Sequence, residues 1–373
     1  VKILHINSYF SGSSFFKNLY DKQINNGLSI DVFVPVSTSF EIHNLKLGNY
    51  TTVSANHGKY DRALFHVKQN KIYKDIVSKY KLQDYPIVHA HSLFTNGYIA
   101  MKIKKKFGIP YVVAVRNTDV HTFFKFMPHL RGIGVNILKE ADKIIFISES
   151  YKNIVINRYT PKNFRNEVLN KSKVIPNGID DFWLTNQVRI EKSLSKTDLK
   201  LLYVGEINKN KNLLTTVKAI EILNSKGFNV KYTVVGKISD KSIYKQINAL
   251  PYVKYIEPQP KEGLIKIYRE NDIFVMPSIH ETFGLVYPEA MSQGLPVIYS
   301  KGQGFDGQFN EGEIGFNVDC FNPTELAEKI ISISKTYSSI SKNCLNRVEK
   351  FTWDRITYDY LKVYNKILEK NIG

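Results

Sequence analysis

The sequence predicts an α/β protein made of two successive doubly wound, Rossmann-like halves. Three observations predict it. Short apolar runs alternate with segments of helical periodicity. The alternation breaks at a turn-rich stretch, Pro176-Asn177-Gly178-Ile179-Asp180, and then restarts. At 373 residues the chain has room for two domains of ordinary size.

Residues 2–7 read as a buried strand, and 15–26 as a helix stopped by Gly27. A second strand covers 29–35 and a Lys/Tyr-rich helix 68–80. Strand 87–90, helix 97–107 stopped by Gly108, strand 111–115, helix 133–141 and strand 143–147 follow. Beyond the boundary come strand 200–204, helix 213–225, strand 231–235, helix 264–271, strand 273–276, helix 286–293 and strand 296–299. Apolar strands joined by helices imply parallel sheets covered on both faces, and such sheets bind ligands beyond their strand C-termini.

Composition narrows the function classes. The 43% hydrophobic and 23% charged residues are ordinary for a globular protein. Cys320 and Cys344 stand in no disulfide or metal-ligand spacing, which suits a reducing compartment. The opening Val1-Lys2-Ile3-Leu4-His5-Ile6 reads as a strand rather than a signal peptide. No stretch approaches the roughly 18 apolar residues of a membrane span. A cytoplasmic location is therefore expected. The net charge of +18 is unevenly placed: residues 1–177 carry 26 Lys and Arg against 11 Asp and Glu, while 178–373 carry 26 against 23. A basic first half suits an anionic membrane surface or lipid pyrophosphate, reached peripherally; solvated helix faces are the plainer reading. Nucleic acid is not expected, since no recognised module is present.

The most informative segment is Pro277-Ser278-Ile279-His280-Glu281-Thr282-Phe283-Gly284-Leu285-Val286-Tyr287-Pro288-Glu289-Ala290-Met291. A strand leads into a loop that opens a helix. The N–H groups of Phe283, Gly284 and Leu285 suit a diphosphate. Glu281 and Glu289 carry carboxylates that can each accept bonds from adjacent hydroxyls. Taken alone, such acids are more often simply solvated.

Together with Gly294-Leu295-Pro296-Val297, this run resembles the donor-site signature of family-4 retaining glycosyltransferases of the GT-B fold. Leu202-Tyr203-Val204-Gly205 with Lys211-Asn212-Leu213 resembles that family's phosphate loop. Further similarity lies in 232–236, 268–278, 142–150, 174–180 and Phe351-Thr352-Trp353-Asp354-Arg355. The resemblance implies two Rossmann-like domains facing across a cleft: 1–176 on the acceptor side, 177–350 binding the nucleotide sugar, and a closing helix within 351–373 packing on the first. It implies that Glu281 contacts the transferred sugar, Glu289 the ribose, and Lys211 the leaving diphosphate. Gly205 and Gly236 belong to donor-binding loops, and the loops at Gly236 and Pro258-Gln259 lie near the base. Transfer proceeds with retention.

One departure stands out. The family has Arg after the phosphate-loop glycine, where this chain has Glu206. Lys209, Lys211 or Arg116 is expected to supply the missing charge. In the first half, His91 of His89-Ala90-His91 resembles the residue near the acceptor and the anomeric centre, though a structural histidine also fits. A His-x-His pair alone is poor evidence for metal. Ser8-Tyr9-Phe10-Ser11-Gly12-Ser13-Ser14 takes the place of the family's glycine-rich loop, with Gly12 its one glycine. Gly302-Gln303-Gly304-Phe305-Asp306-Gly307 fits a dinucleotide fingerprint but opens no helix, so it reads as a wall of the donor site. No D-x-D triplet occurs. The site is thus expected to need no metal and no cofactor beyond the donor, with a UDP-sugar the first expectation. Lys102, Lys104, Lys105 and Lys106, with Phe123, Phe124, Lys125, Phe126 and Met127, suit an interfacial contact, or equally a helix end and buried rings.

The function expected is transfer of a hexose or N-acetylhexosamine to a lipid-linked saccharide in bacterial surface polysaccharide synthesis, such as capsule. A transferase for protein or small-molecule acceptors is a second reading. A catalytically weakened nucleotide-sugar-binding partner of another transferase, suggested by Glu206, is the alternative.

Overall fold

A computed structural model describes residues 1–12, 15–41, 47–188, 194–195 and 197–372. The chain divides into two compact units, Val1–Pro176 with Trp353–Gly373, and Asn177–Thr352.

The first unit holds a parallel sheet of seven strands: β1 (Lys2–Ile6), β2 (Ser29–Ser37), β3 (Thr51–His57), β4 (Ile87–Ala90), β5 (Tyr111–Val115), β6 (Lys143–Phe146) and β7 (Ser172–Val174). Their order is β3-β2-β1-β4-β5-β6-β7. The second unit holds β8 (Asp198–Val204), β9 (Asn229–Val235), β10 (Val253–Ile256), β11 (Ile273–Met276), β12 (Val297–Ser300) and β13 (Gly315–Val318), in the order β10-β9-β8-β11-β12-β13. Both sheets reverse direction of winding once, between β1 and β4 and between β8 and β11. Those two points are where the crossovers leave a crevice beyond the strand C-termini.

The inner strands follow from their residues. Tyr111–Val115 and Ile273–Met276 are continuous apolar runs and wholly buried, as strands covered on both faces must be. Strands β3, β10 and β13 were not legible in the sequence. All three are sheet edges, with partly exposed residues such as Thr52 and Lys254, so no apolar run announces them.

The closing helix runs Trp353–Ile372. Trp353, Ile356, Tyr360, Val363, Tyr364 and Ile367 recur at helical spacing and join the first unit's core with Phe16, Leu19 and Tyr20 of the Phe15–Asn25 helix. Phe351, expected to open this segment, stays in the second unit, against Phe283 and Phe309. No helix among the described residues is long and apolar enough to cross a membrane.

Candidate functional site

In the second unit the chemistry gathers on loops beyond the C-termini of β8, β9, β11 and β12. Lys211 Nζ lies 2.6 Å from Glu281 Oε2. The lysine comes from the loop after β8, the acid from the loop after β11, so the pair spans the switch point. Both side chains are largely buried, at 20% and 11% exposure, which makes this contact stronger than a solvated surface pair.

Asparagines hold the lysine loop. Asn208 caps it, its Oδ1 accepting the Lys211 N–H at 3.1 Å. Asn210 Nδ2 donates to the His280 carbonyl, and Asn210 Oδ1 accepts the His280 N–H. Asn212, in the left-handed conformation, donates to the Pro277 carbonyl at 3.1 Å. The sequence reading singled out Lys211, quoted Asn212 only as its neighbour in the phosphate-loop motif, and missed Asn208 and Asn210. The alternation Asn208-Lys209-Asn210-Lys211-Asn212 was the available signal.

The acid loop is braced from the other side. Gln303 Oε1 accepts the Glu281 N–H at 3.0 Å, and the Gly304 N–H donates to the Glu281 carbonyl at 3.0 Å. A Cβ on Gly304 would stand 1.7 Å from the Thr282 carbonyl oxygen, so only glycine fits. The G-x-G-x-x-G stretch is therefore a support for Glu281. Its Phe305 is buried against Phe283, Tyr287 and Phe351.

The N–H groups of Phe283, Gly284 and Leu285 have no hydrogen-bond partner among the described residues. The Phe283 ring is buried, so this residue can offer a ligand its backbone rather than its ring. Gly205 and Gly236 touch: the Gly205 N–H donates to the Val235 carbonyl, and a Cβ on Gly236 would lie 1.8 Å from the Gly205 oxygen.

Glu289 sits on the Val286–Ser292 helix, where Tyr268 OH donates to its Oε2 at 3.3 Å. Burial pushes its carboxyl up to about 7, opposed by the bonds from Tyr268 and Trp183 and by Lys261. Lys209 is exposed, and its side chain makes no hydrogen bond or ion pair with a site residue among the described residues. Glu206 is exposed as well. Its oxygens accept from Ser239 Oγ at 2.5 Å and Asn208 Nδ2 at 3.0 Å, and these bonds, Ser239 first, hold its carboxyl below the usual range.

In the first unit the matching crevice is filled from within. His91 follows β4 and is fully buried. His5 on β1 pairs with His89 on β4 in register, and all three rings project to one face. His5 Nδ1 and His91 Nε2 are 3.0 Å apart, and His89 Nδ1 meets Tyr364 OH at 2.8 Å. Burial lowers all three: His5 to about 3, against an opposing bond from Gln23, and His89 and His91 well below the ordinary value. Burial thus favours the neutral form of each imidazole.

His5 supplies the third imidazole that the sequence reading lacked, and the three ring nitrogens lie within 4.8 Å of one another. The His89 and His91 rings stack, centroids 4.1 Å apart and planes 25° apart. The hydrogen bonds use one nitrogen of each ring, and His5 Nε2, His89 Nε2 and His91 Nδ1 are buried without a hydrogen-bond partner among the described residues.

Arg116, at the end of β5, turns inward as Nε donates to the His91 carbonyl at 3.2 Å and the guanidinium lies over the Phe16 ring. Asp119, missed in the sequence, is buried and accepts the N–H groups of Leu93, Phe94 and Arg116. Burial nevertheless raises its carboxyl to about 6. Gly12 closes a tight turn, Phe10–Gly12; Ser13 and Ser14 lie outside the described residues.

The basic and aromatic tract separates. Lys102 bonds Asn70, Lys104 bonds Asp142, and Lys105 and Lys106 face solvent. Phe124 is buried and Phe123 stacks on Phe94, which leaves Phe126 exposed beside Lys125.

Comparison with known proteins follows the same division. Residues 12–181 match the family model "Glycosyltransferase Family 4", and residues 186–350 match "Glycosyl transferases group 1". The chain is 32% identical over 246 residues to the capsular polysaccharide biosynthesis glycosyltransferase CapM of Staphylococcus aureus. That alignment covers 62% of this chain and 64% of the relative. Among solved structures, sucrose-phosphate synthase of Thermosynechococcus elongatus superposes with a TM-score of 0.74 at 18% identity, over 99% of both chains. HepE of Anabaena, solved in complex with UDP, gives 0.70 at 16% identity over 98% of this chain and 100% of its own. The two family models meet at the boundary between the units, and the chain, a GT-B protein, belongs to the group-1, family-4 glycosyltransferases.

Proposed function

We propose that this glycosyltransferase moves a hexose or N-acetylhexosamine from a nucleotide diphosphate sugar to a lipid-linked saccharide during synthesis of a bacterial surface polysaccharide. The observation that carries the reading is the Lys211–Glu281 pair, 2.6 Å apart at the switch point of the second sheet. A lysine there balances the charge that develops on a departing diphosphate, and its acid partner accepts from sugar hydroxyls. Three unpartnered N–H groups, at Phe283, Gly284 and Leu285, supply fixed dipoles for the same phosphates. Glu289, partly desolvated, receives the ribose hydroxyls.

The capsular relative supports the surface-polysaccharide role. UDP is the first donor nucleotide to try, because HepE was solved with UDP and with UDP-glucose. Retention follows from the family-4 resemblance, and positive charge on the loops takes the part that a metal plays elsewhere. The excess of basic residues in the first unit favours an acceptor held at an anionic membrane surface.

The test is a thermal-shift screen with UDP, GDP, ADP and their sugar conjugates, with and without EDTA, followed by transfer assays. A ligand that binds only the folded protein raises its melting temperature. An EDTA-insensitive shift with one nucleotide family, and turnover with its sugar giving a product of unchanged anomeric configuration, is expected. No shift and no turnover with any of them would overturn the reading.

A further inference from the structure

Glu206 is the residue at which the chain departs from the family pattern, and its surroundings assign it a task. Taken as charge alone, an acid beside a phosphate site opposes binding. The structure shows a different feature. Its two carboxylate oxygens are both taken: Oε1 by Ser239 Oγ and Oε2 by Asn208 Nδ2. Asn208 in turn accepts the backbone N–H of Lys211. Glu206 thus closes a short chain, Ser239–Glu206–Asn208–Lys211, joining the loop after β9 to the loop after β8.

The backbone runs the same way. Tyr203 OH donates to the Glu206 carbonyl at 2.8 Å, and the Ile207 N–H donates to the Lys237 carbonyl at 2.8 Å. The N–H groups of Ser239 and Asp240 return to the Ile207 carbonyl. The two loops are sewn side by side, and the Glu206 carboxylate bridges Ser239 on one to Asn208 on the other.

We propose that Glu206 is a positioning residue that clasps these two loops and so sets Lys211 opposite Glu281. The proposal rests on the donor-site reading of Lys211. Its chemistry is specific: the clasp needs an acceptor at both ends. A carboxylate has two accepting oxygens. An arginine has only donors, so it meets the Ser239 hydroxyl and the Asn208 amide with nothing to accept them. A glutamine keeps one accepting oxygen and loses the other.

The test sets the two views of Glu206 against each other. Glu206→Arg restores the family's charge and breaks the clasp. If charge alone mattered, donor turnover would rise. The clasp requires a fall of about tenfold or more in kcat, with donor KM changed less, in both Glu206→Arg and Glu206→Ala. Glu206→Gln is expected between these and the parent. Ser239→Ala removes the far end without touching charge. It is expected to lower kcat in the same sense, and adding it to Glu206→Ala should cost little more. Thermal unfolding confirms that each variant is folded.

Glu206→Arg with turnover at or above the parent level, in a folded protein, overturns the clasp. Lys211→Ala, measured alongside, separates this from failure of the reading beneath. If Lys211→Ala keeps full turnover, the donor-site role of Lys211 falls, and the clasp with it. If Lys211→Ala loses turnover while Glu206→Arg keeps it, the donor site stands and only the clasp falls.

Discussion

The two units share a topology and use it in opposite ways. In the second, the groups beyond the switch point are charged, sit on loops, and meet as the Lys211–Glu281 pair. In the first, the equivalent place is a cluster of three buried histidines, closed over by Tyr20 and Tyr364. The contrast is sharper because the basic excess of the whole protein lies in the first half. Net charge and site charge are thus separate properties. Surface lysines can make a unit basic while its crevice is filled by imidazole and phenol rings with Arg116 beside them, and a nearly neutral unit can hold the Lys211–Glu281 ion pair.

The largest expected effect falls on that pair. Lys211→Ala and Glu281→Gln should each lower turnover by about 100- to 1000-fold, the scale seen when a group aimed at developing charge is removed. Because the two side chains contact each other, the double variant should cost clearly less than the product of the singles. Strict additivity in the rate measurements would show that the pair does not act as a unit.

Next comes the seam beneath the pair. Gly236→Ala places a methyl 1.8 Å from the Gly205 carbonyl, at a φ of 147°. The loops after β8 and β9 must part. Destabilisation of about 3 kcal/mol is expected from strain at so special a position. The nucleotide-induced thermal shift should vanish with it. A wild-type melting temperature would refute the close approach.

The third effect separates the units by pH. A histidine held neutral by burial binds fewer protons folded than unfolded. Its contribution is therefore whole above the unfolded value near 6.5 and is lost as pH falls below it. His5, His89 and His91 should each destabilise the first unit, by on the order of 1 kcal/mol, as pH drops from 7.5 to 5.5. Asp119, raised to about 6, works against them, because its contribution is lost as pH rises instead. Glu289, raised to about 7 in the second unit, does the same. Two-phase acid unfolding, with His89→Gln flattening the pH slope of one phase and Glu289→Gln that of the other, is the expected outcome. One common slope, unchanged by either substitution, would remove the distinction.

How much of this was legible in the sequence follows from where each signal lies. The inner strands declared themselves because burial on both faces demands unbroken apolar runs, as at Ile273–Met276. The edge strand Thr51–His57 did not, since its exposed residues carry no such demand. Lys211, Glu281 and Glu289 were singled out through the resemblance of one contiguous segment and one phosphate loop. Gln303 and His5 were not, because their importance comes from pairing across strands: Gln303 reaches Glu281 from the loop after β12, and His5 reaches His91 across 86 residues. A motif records neighbours in sequence, whereas these contacts exist only once the sheets have formed.

The smallest effect tests whether the charge asymmetry has a partner. Of the mixed basic and aromatic tract, Phe126 and Lys125 remain outward, with the Lys125 ammonium 5.0 Å from the Phe126 ring centroid. A basic residue near an anionic surface is worth about 1 kcal/mol, or roughly fivefold in binding. Lys125→Ala should therefore weaken co-sedimentation with phosphatidylserine vesicles about fivefold at low salt and leave the melting temperature unchanged. Lys245→Ala, an equally exposed lysine on the Lys241–Asn248 helix of the second unit, should change neither. Equal losses for both lysines would mean that the vesicle reads the total charge of the protein. Loss for Lys125 alone, abolished by raised salt, would give the basic half a surface to face.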